Sequence, residues 1–522
     1  MYRKLVLFRG TFLDSVSMME ISNKLREIEG ITKVHVSLAT MTNKRILMES
    51  GFLWEEIDRA SENDLVIAIE GTSEVSVNRG IEKARELLKK HIDMKAEMKL
   101  PKSLEEALEM LPDANFVLIS VPGKYAKYEA MKALKSNLNV FLFSSNVSIE
   151  DEIELKKEAV KRGLLLMGPD AGTAIINGIV FGFGNVAERG HVGIVGSAGT
   201  GIQEAVVLLD SLGIGISHAI GTGSNDVKDS VAGIMTEFSL NLLNEDDTTE
   251  ILLFISKPPG EQTTRRIIEY FGTLSKPVVA CLLDVDHDLL KRKNNVTYTK
   301  TIDEAVIKIA QIRGIDAGGI VESYHKLLTL ALKEHEKFSR NQKFIRGLYA
   351  GGTLAYEAQI VLSEYFNELY SNSPIKRFRN NRISGFDSSI GHTIIDMGSE
   401  EFVEGRLHPM IDFTLRKQRL IKEASDPETA VILLDVELGY GAHHDPAGEL
   451  TPAIREAKEL AEHEGRYLLV IAHVVGTKRD PQGLDKQIEK LKSEGVLVAP
   501  TNAMAARLAA IAVLGDEKPR RK

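Results

Sequence analysis

Two stretches of the chain combine glycine, serine and threonine in a pattern suited to holding an anion. The first is Gly193-Ile194-Val195-Gly196-Ser197-Ala198-Gly199-Thr200-Gly201 and the second is Gly347-Leu348-Tyr349-Ala350-Gly351-Gly352-Thr353. Each reads as an apolar strand, a glycine–threonine corner and a helix start. Such a corner leaves the first helical amides unpaired, with the positive end of the helix dipole behind them, so it suits a phosphate or a carboxylate. Both corners could serve one anion, with Ser197, Gly199 and Thr200 binding from one side and Gly351, Gly352 and Thr353 from the other. Lys257, in Ser256-Lys257-Pro258-Pro259, could neutralise that anion. Arg406, His408 and Arg416 could hold a carboxylate or supply a general acid. Glycine is also what tight strand-to-helix packing needs, yet its recurrence in two corners favours the functional reading. His443-His444-Asp445 has no further spaced ligands, so no metal is assigned.

The elements that must position these residues are legible from the pattern. Short apolar runs alternate with longer amphipathic segments, as in buried parallel strands joined by crossover helices, and the fold class is α/β. An N-terminal Rossmann-like domain is expected over 1–187, with strands at Lys4–Phe8, Thr32–Leu38, Leu65–Ile69, Phe116–Val121, Val140–Ser144 and Leu164–Met167. Two flavodoxin-like domains follow at 188–332 and 344–522, separated by the polar linker 333–343. The last domain repeats the order of the one before it, Ile395-Asp396-Met397-Gly398 standing where the first copy has Ile220-Gly221-Thr222-Gly223. Its insertion, Tyr370–Gly391, reads as a surface loop.

Composition narrows the function classes. The net charge of -9 arises from interspersed acids and bases, the only one-sign block being the tail Lys518-Pro519-Arg520-Arg521-Lys522, so nucleic acid is not an expected partner. The single cysteine, Cys281, sits in an apolar run, which excludes internal disulfides and thiolate clusters and fits a reducing cytoplasm. No apolar run reaches the length of a membrane span.

Several ordered motifs resemble the succinyl-CoA synthetase (NDP-forming acyl-CoA synthetase) superfamily. Ser120-Val121-Pro122, Phe143-Ser144-Ser145-Asn146 and Met167-Gly168-Pro169-Asp170 are similar to the second half of its CoA-binding domain. The two corners resemble matching parts of its α-subunit and of its β-subunit ligase domain. Within the superfamily, Asp14-Ser15-Val16-Ser17, Pro112-Asp113-Ala114-Asn115, Ser256-Lys257-Pro258-Pro259, His408-Pro409-Met410-Ile411-Asp412 and Gly439-Tyr440-Gly441 resemble the FdrA-like proteins. The resemblance implies a fused α/β ligase core without an ATP-grasp domain, so that the interface between the relatives' subunits lies within one chain. It also implies that Ser120, Pro122, Ser144 and Asn146 are the CoA-type binding residues and that CoA is the cofactor to test.

Departures from the family bear on the reaction. Relatives carry a phosphohistidine in a Gly-His-Ala-Gly loop after the strand that here is Pro277–Leu283, but this chain has Asp286-His287-Asp288. Lys257 stands where the family places an acidic partner for that histidine. The N-terminal CoA-phosphate turn is replaced by Arg9-Gly10-Thr11-Phe12-Leu13. What remains is a phosphate cradle without the machinery that makes an acyl phosphate from ATP. The FdrA resemblance implies a subunit of an oxamate-type carbamoyltransferase in purine and ureide breakdown, using carbamoyl or acyl phosphate and working with partner subunits. The alternatives are a CoA-ligase component that needs a separate ATP-grasp partner, and a non-catalytic CoA- or metabolite-binding scaffold. Self-association as a homo-oligomer stays open.

Overall fold

A computed structural model describes residues 2–517 except 12, 14, 53, 63, 98, 99, 291, 292, 404 and 405. Asp14 of the first FdrA-like motif and the basic tail therefore lie outside the described residues. The chain divides into two units, one formed by Met1–Pro112 with Glu400–Ile411 and the other by Asp113–Ser399 with Asp412–Lys522.

The smaller unit is a three-stranded sheet with Leu65–Gly71 at its centre, flanked by Tyr2–Phe8 and Ile31–Leu38. Both pairings are antiparallel, where crossover connections had suggested parallel ones. The central strand is buried along its whole length because it is covered on both faces. Leu65, Ile67 and Ile69 pack with Leu25, Val77, Ile81 and Leu88 on one side. Val66 and Ala68 pack with Leu47, Phe52 and Ile57 on the other. A strand buried on both faces reads as a continuous apolar run, which cannot by itself report strand direction. The expected single Rossmann-like domain over 1–187 is accordingly divided. Its second half is a parallel sheet of Phe116–Ile119, Asn139–Leu142 and Leu166–Met167 in the larger unit.

The larger unit contains two further sheets. One orders Val296–Thr299, Val278–Leu282, Ile251–Ser256, Arg189–Gly196 and Ile216–Gly221 as parallel neighbours, and the hairpin Thr173–Ile176/Ile179–Gly182 extends it antiparallel. The other orders Leu497–Ala499, Leu469–Val475, Thr429–Glu437, Phe344–Tyr349 and Thr393–Asp396 in the same way, with Tyr370–Ser371 at its edge. The matching strand orders fit a duplicated flavodoxin-like domain. The inserted segment is more than a surface loop, since it contributes that edge strand, buries Ile375 and Phe378, and donates the Lys376 amide to Asp284 at 2.8 Å.

The two copies share one apolar core, to which the helices Gly199–Ser211 and Gly352–Leu362, packed on each other, contribute Ile202, Ala205, Leu354 and Ala358. Buried carboxylates four residues past each corner threonine cross between the copies in the same manner. Glu204 accepts the Asn502 amide (3.1 Å) at the start of the helix Asn502–Leu514 in the second copy, and Glu357 accepts the Ile302 amide (2.7 Å) at the start of the helix Ile302–Ile312 in the first. Each carboxyl accepts from the first amide of a helix, one of the donors the helix itself leaves unpaired. Glu204 also pairs with buried His473 at 2.7 Å and holds that imidazole above its usual range, against the opposing effect of burial. Burial, together with Asp303 and Glu204, raises the Glu357 carboxyl.

Candidate anion site at the paired glycine corners

The two corners meet. The Thr353 amide donates to Thr200 Oγ1 at 3.3 Å, and a Cβ on Gly201 would lie 3.0 Å from Thr353 Cγ2. A Cβ on Gly351 would lie 3.1 Å from Thr200 Cβ, so glycine is what allows the corners to approach this closely.

They differ in what their amides do. The first helix begins at Gly199 after Ala198, which offers no side-chain cap. Among the described residues the amides of Gly199, Thr200 and Gly201 have no acceptor. The buried Thr173 hydroxyl, also unpartnered, lies 2.8 Å from where a Cβ on Gly199 would sit. In the second corner the Gly352 and Leu354 amides likewise have no acceptor among the described residues, but the two amides before the helix are taken by a carboxylate of the protein. Asp435 Oδ1 and Oδ2 accept the amides of Ala350 (2.8 Å) and Gly351 (2.7 Å). Arg416, fully buried, balances that carboxylate, bonding Asp435 Oδ1 and the Leu348 carbonyl. Glu437, on the same strand as Asp435, is also buried, and burial with the neighbouring Asp435 charge holds its carboxyl well above the usual range.

Lys257 and Asp396 lie where the corners join. Lys257 follows the strand Ile251–Ser256, whose Ile255 carbonyl accepts the Ser197 amide at 3.2 Å. A Cβ on Gly352 would lie 3.1 Å from Lys257 Nζ and 2.6 Å from Asp396 Oδ2, so both groups flank Gly352 on its bare side. Asp396 Oδ1 accepts the Gly398 amide at 3.0 Å. Burial raises its carboxyl above the usual range, although Lys257 and that amide oppose the shift. The seam between the corners thus brings unpaired amides, a lysine and a carboxylate together.

The structure separates the expected site residues. Gly199, Thr200, Lys257, Gly352 and Thr353 come together, Thr353 with a buried hydroxyl that has no partner. Three others are corrected. The Ser197 amide is taken by Ile255 and its hydroxyl lies 3.0 Å from Ser256 Oγ, the Gly351 amide is taken by Asp435, and Arg416 is locked to Asp435 inside the core. Arg406 and His408 belong to the segment that packs with the smaller unit, where His408 Nδ1 accepts the Met410 amide at 3.3 Å. Ser120, Pro122 and Asn146 are exposed beyond the C-terminal ends of their parallel strands, and buried Ser144 accepts the Val121 amide at 3.0 Å. Cys281 is buried, which pushes its thiol up and makes it unreactive. Sequence reasoning missed Asp435, Asp396 and Thr173. The signal for Asp396 was present, because an aspartate stands where the first copy has Gly221.

At the strand where relatives would place their phosphohistidine, the chain turns at Asp284, whose carboxylate accepts Tyr356 Oη at 2.8 Å. No group of three or more His, Cys, Asp or Glu side chains able to hold a metal occurs among the described residues. Nor is any described helix long and apolar enough to cross a membrane.

Residues 348–512 match the CoA-ligase family, and residues 1–102 match the AllF heavy metal-associated domain family. The matched N-terminal stretch contains no cysteine. Over 508 residues, 97% of this chain and 98% of the relative, the sequence is 38% identical to the Escherichia coli (strain K12) protein YahF. It is 29% identical over 172 residues to the succinate–CoA ligase [ADP-forming] subunit alpha of Staphylococcus aureus (strain Mu50 / ATCC 700699), covering 32% of this chain and 55% of that subunit. A solved structure of dinucleotide-forming acetyl-coenzyme A synthetase 1 from Ca. Korarchaeum cryptofilum, in complex with phosphate and ADP, covers 77% of this chain and 82% of its own, at 15% identity and a TM-score of 0.30.

Proposed function

The chain belongs to the family of YahF, FdrA-like proteins with a succinyl-CoA-synthetase-type ligase core, and on that premise we propose that it is a carbamoyltransferase component of the oxamate type. In this reading carbamoyl phosphate, made elsewhere, binds with its phosphate on the amides of Gly199, Thr200 and Gly201. The acceptor's nitrogen attacks the carbamoyl carbon, the bond from that carbon to the bridging oxygen breaks, and its electron pair leaves with the phosphate. The proton lost by the acceptor passes to phosphate or solvent. The helix dipole and Lys257 stabilise the charge that builds on the departing phosphate. Partner subunits supply the acceptor site, and the setting is purine and ureide nitrogen breakdown.

The observation that supports this reading is the first corner, whose three amides lack acceptors among the described residues and which meets the second corner where Lys257 flanks Gly352, in a chain without a histidine loop of the phosphorylated kind. A second reading, a CoA-ligase component served by a separate ATP-grasp partner, draws on the CoA-ligase match and on exposed Ser120, Pro122 and Asn146.

Thermal melts with inorganic phosphate, carbamoyl phosphate, CoA and ATP separate the two. A ligand at a hundred times its Kd stabilises the native state by about 2.7 kcal/mol. Phosphate and carbamoyl phosphate should raise the melting temperature, and Lys257→Met and Thr200→Val should blunt the effect. Carbamoyl transfer, assayed with the products of neighbouring genes, should fall in the same variants. Stabilisation by CoA alone would favour the second reading.

A further inference from the structure

We propose that Asp396 determines specificity in this pocket, its Oδ2 accepting an N–H of the carbamoyl group so that carbamoyl phosphate is taken in preference to acetyl phosphate. The inference rests on the reading that the first corner holds the phosphate.

The placement of the two carboxylates carries it. Both oxygens of Asp435 already accept hydrogen bonds, from the Ala350 and Gly351 amides and from Arg416, and its side chain is fully buried, so Asp435 is committed to holding the core together. Asp396 is different. Its backbone is pinned by Asn372, which accepts the Asp396 amide at 2.9 Å and donates to the Asp396 carbonyl at 2.9 Å. Its Oδ1 holds the Gly398 amide, which leaves Oδ2 turned toward bare Gly352 beside Lys257. Gly352 immediately precedes Thr353, whose amide meets Thr200 of the first corner, so Asp396 borders the seam where the two corners join.

A ligand spanning this seam must present negative charge to the amides and a hydrogen-bond donor to the carboxylate. Carbamoyl phosphate has both, a phosphate at one end and an amino group on the carbonyl carbon. Acetyl phosphate puts a methyl group in the amino position and leaves a desolvated carboxylate oxygen without a donor, which costs free energy. Pyrophosphate and ATP bring a second negative group toward Asp396 and are disfavoured by like-charge repulsion. Sites built to hydrogen-bond a substrate N–H reject the analogue that lacks it far more strongly than apolar pockets reject a missing methylene.

The test is titration of the full-length protein with inorganic phosphate, carbamoyl phosphate and acetyl phosphate, for wild type and Asp396→Asn. The asparagine carbonyl will take the Gly398 amide, so its NH₂ will face the pocket and repel the carbamoyl N–H. Wild type should bind carbamoyl phosphate at least about tenfold more tightly than acetyl phosphate, in line with one hydrogen bond to a charged group. In Asp396→Asn that ratio should fall to one or below, while inorganic phosphate binds as well as before or better. Lys257→Met should weaken both acyl phosphates and leave their ratio intact. A wild-type ratio near one overturns the inference even if the variant does not fold, and so does an Asp396→Asn protein that keeps the preference. If wild type binds none of the three, the phosphate reading itself falls and takes this inference with it.

Discussion

A single methyl group at Gly352 should close the pocket with little effect on the fold. Gly352 is the first residue of its helix, and alanine is up to about 1 kcal/mol better than glycine in a helix interior. The added Cβ would lie 2.6 Å from Asp396 Oδ2 and 3.1 Å from Lys257 Nζ. Non-bonded carbon contacts settle near about 3.5 Å, so the carboxylate must retreat by roughly 0.9 Å. The Asp396 backbone is held on both sides by Asn372, so the retreat has to come from side-chain rotation. A strained rotamer costs about 0.5–1.5 kcal/mol and the loss of the Gly398 bond about 1 kcal/mol. Gly352→Ala should therefore melt within a few degrees of wild type, while its affinity for inorganic phosphate, read by calorimetric titration, drops at least about tenfold as Lys257 and Asp396 are displaced. Gly319→Ala is the control, since a Cβ there meets nothing within 4 Å, and its binding should equal wild type. A folded Gly352→Ala protein that binds phosphate with wild-type affinity would refute the placement of the ligand at this seam.

Two further outcomes concern the supports of the site. Asp435→Asn leaves the buried Arg416 charge without its carboxylate and should cost about 3–5 kcal/mol in urea unfolding. The double variant Asp435→Asn/Arg416→Met should lose clearly less than the sum of the single variants, and strict additivity would show that the pair is not coupled. His392 accepts the Ile345 amide on Nδ1 at 3.3 Å and stacks on Phe366, and burial pushes it down to about 3. Above the ordinary histidine range neither state binds the proton. Below it the unfolded chain does and the native one does not, so stability falls as pH drops from about 6.5 toward 3, by at most about 1.4 kcal/mol per pH unit. His392→Gln should flatten that part of the stability–pH curve relative to wild type, and an unchanged slope would place the acid sensitivity elsewhere.

The duplication was readable because its signal is local and repeated: an apolar strand, a glycine corner and a helix start recur with strand partners in the same order. The meeting of Thr200 and Thr353 followed from that repetition together with the small residues at both corners. The direction of the N-terminal strands was not readable, because a strand buried on both faces gives the same apolar run whether its neighbours are parallel or antiparallel. Arg416 was misread because an arginine two residues into a helix after a loop looks solvent-facing, and only the tertiary position of Asp435, nineteen residues on, shows that it is internal. Ser197 failed for a related reason. Its hydroxyl suits an anion, but Ser256 on the neighbouring strand reaches it first.

The asymmetry between the corners is the feature that most constrains the chemistry. Two open corners facing each other would concentrate positive potential and suit a group with several negative charges. Here Asp435 takes the Ala350 and Gly351 amides of the second corner, Arg416 neutralises that carboxylate in the core, and the Gly352 amide is left without an acceptor among the described residues. On the proposed reading the first corner attracts one phosphate, while Asp396, flanking Gly352, disfavours a second. Lys257 flanks the same glycine, and on that reading it neutralises the leaving phosphate. Duplication therefore supplied the geometry, and a few charged substitutions at equivalent positions turned a symmetric cradle into a directional one. On the function proposed here, such a seam suits transfer from a ready-made mixed anhydride better than its synthesis from ATP.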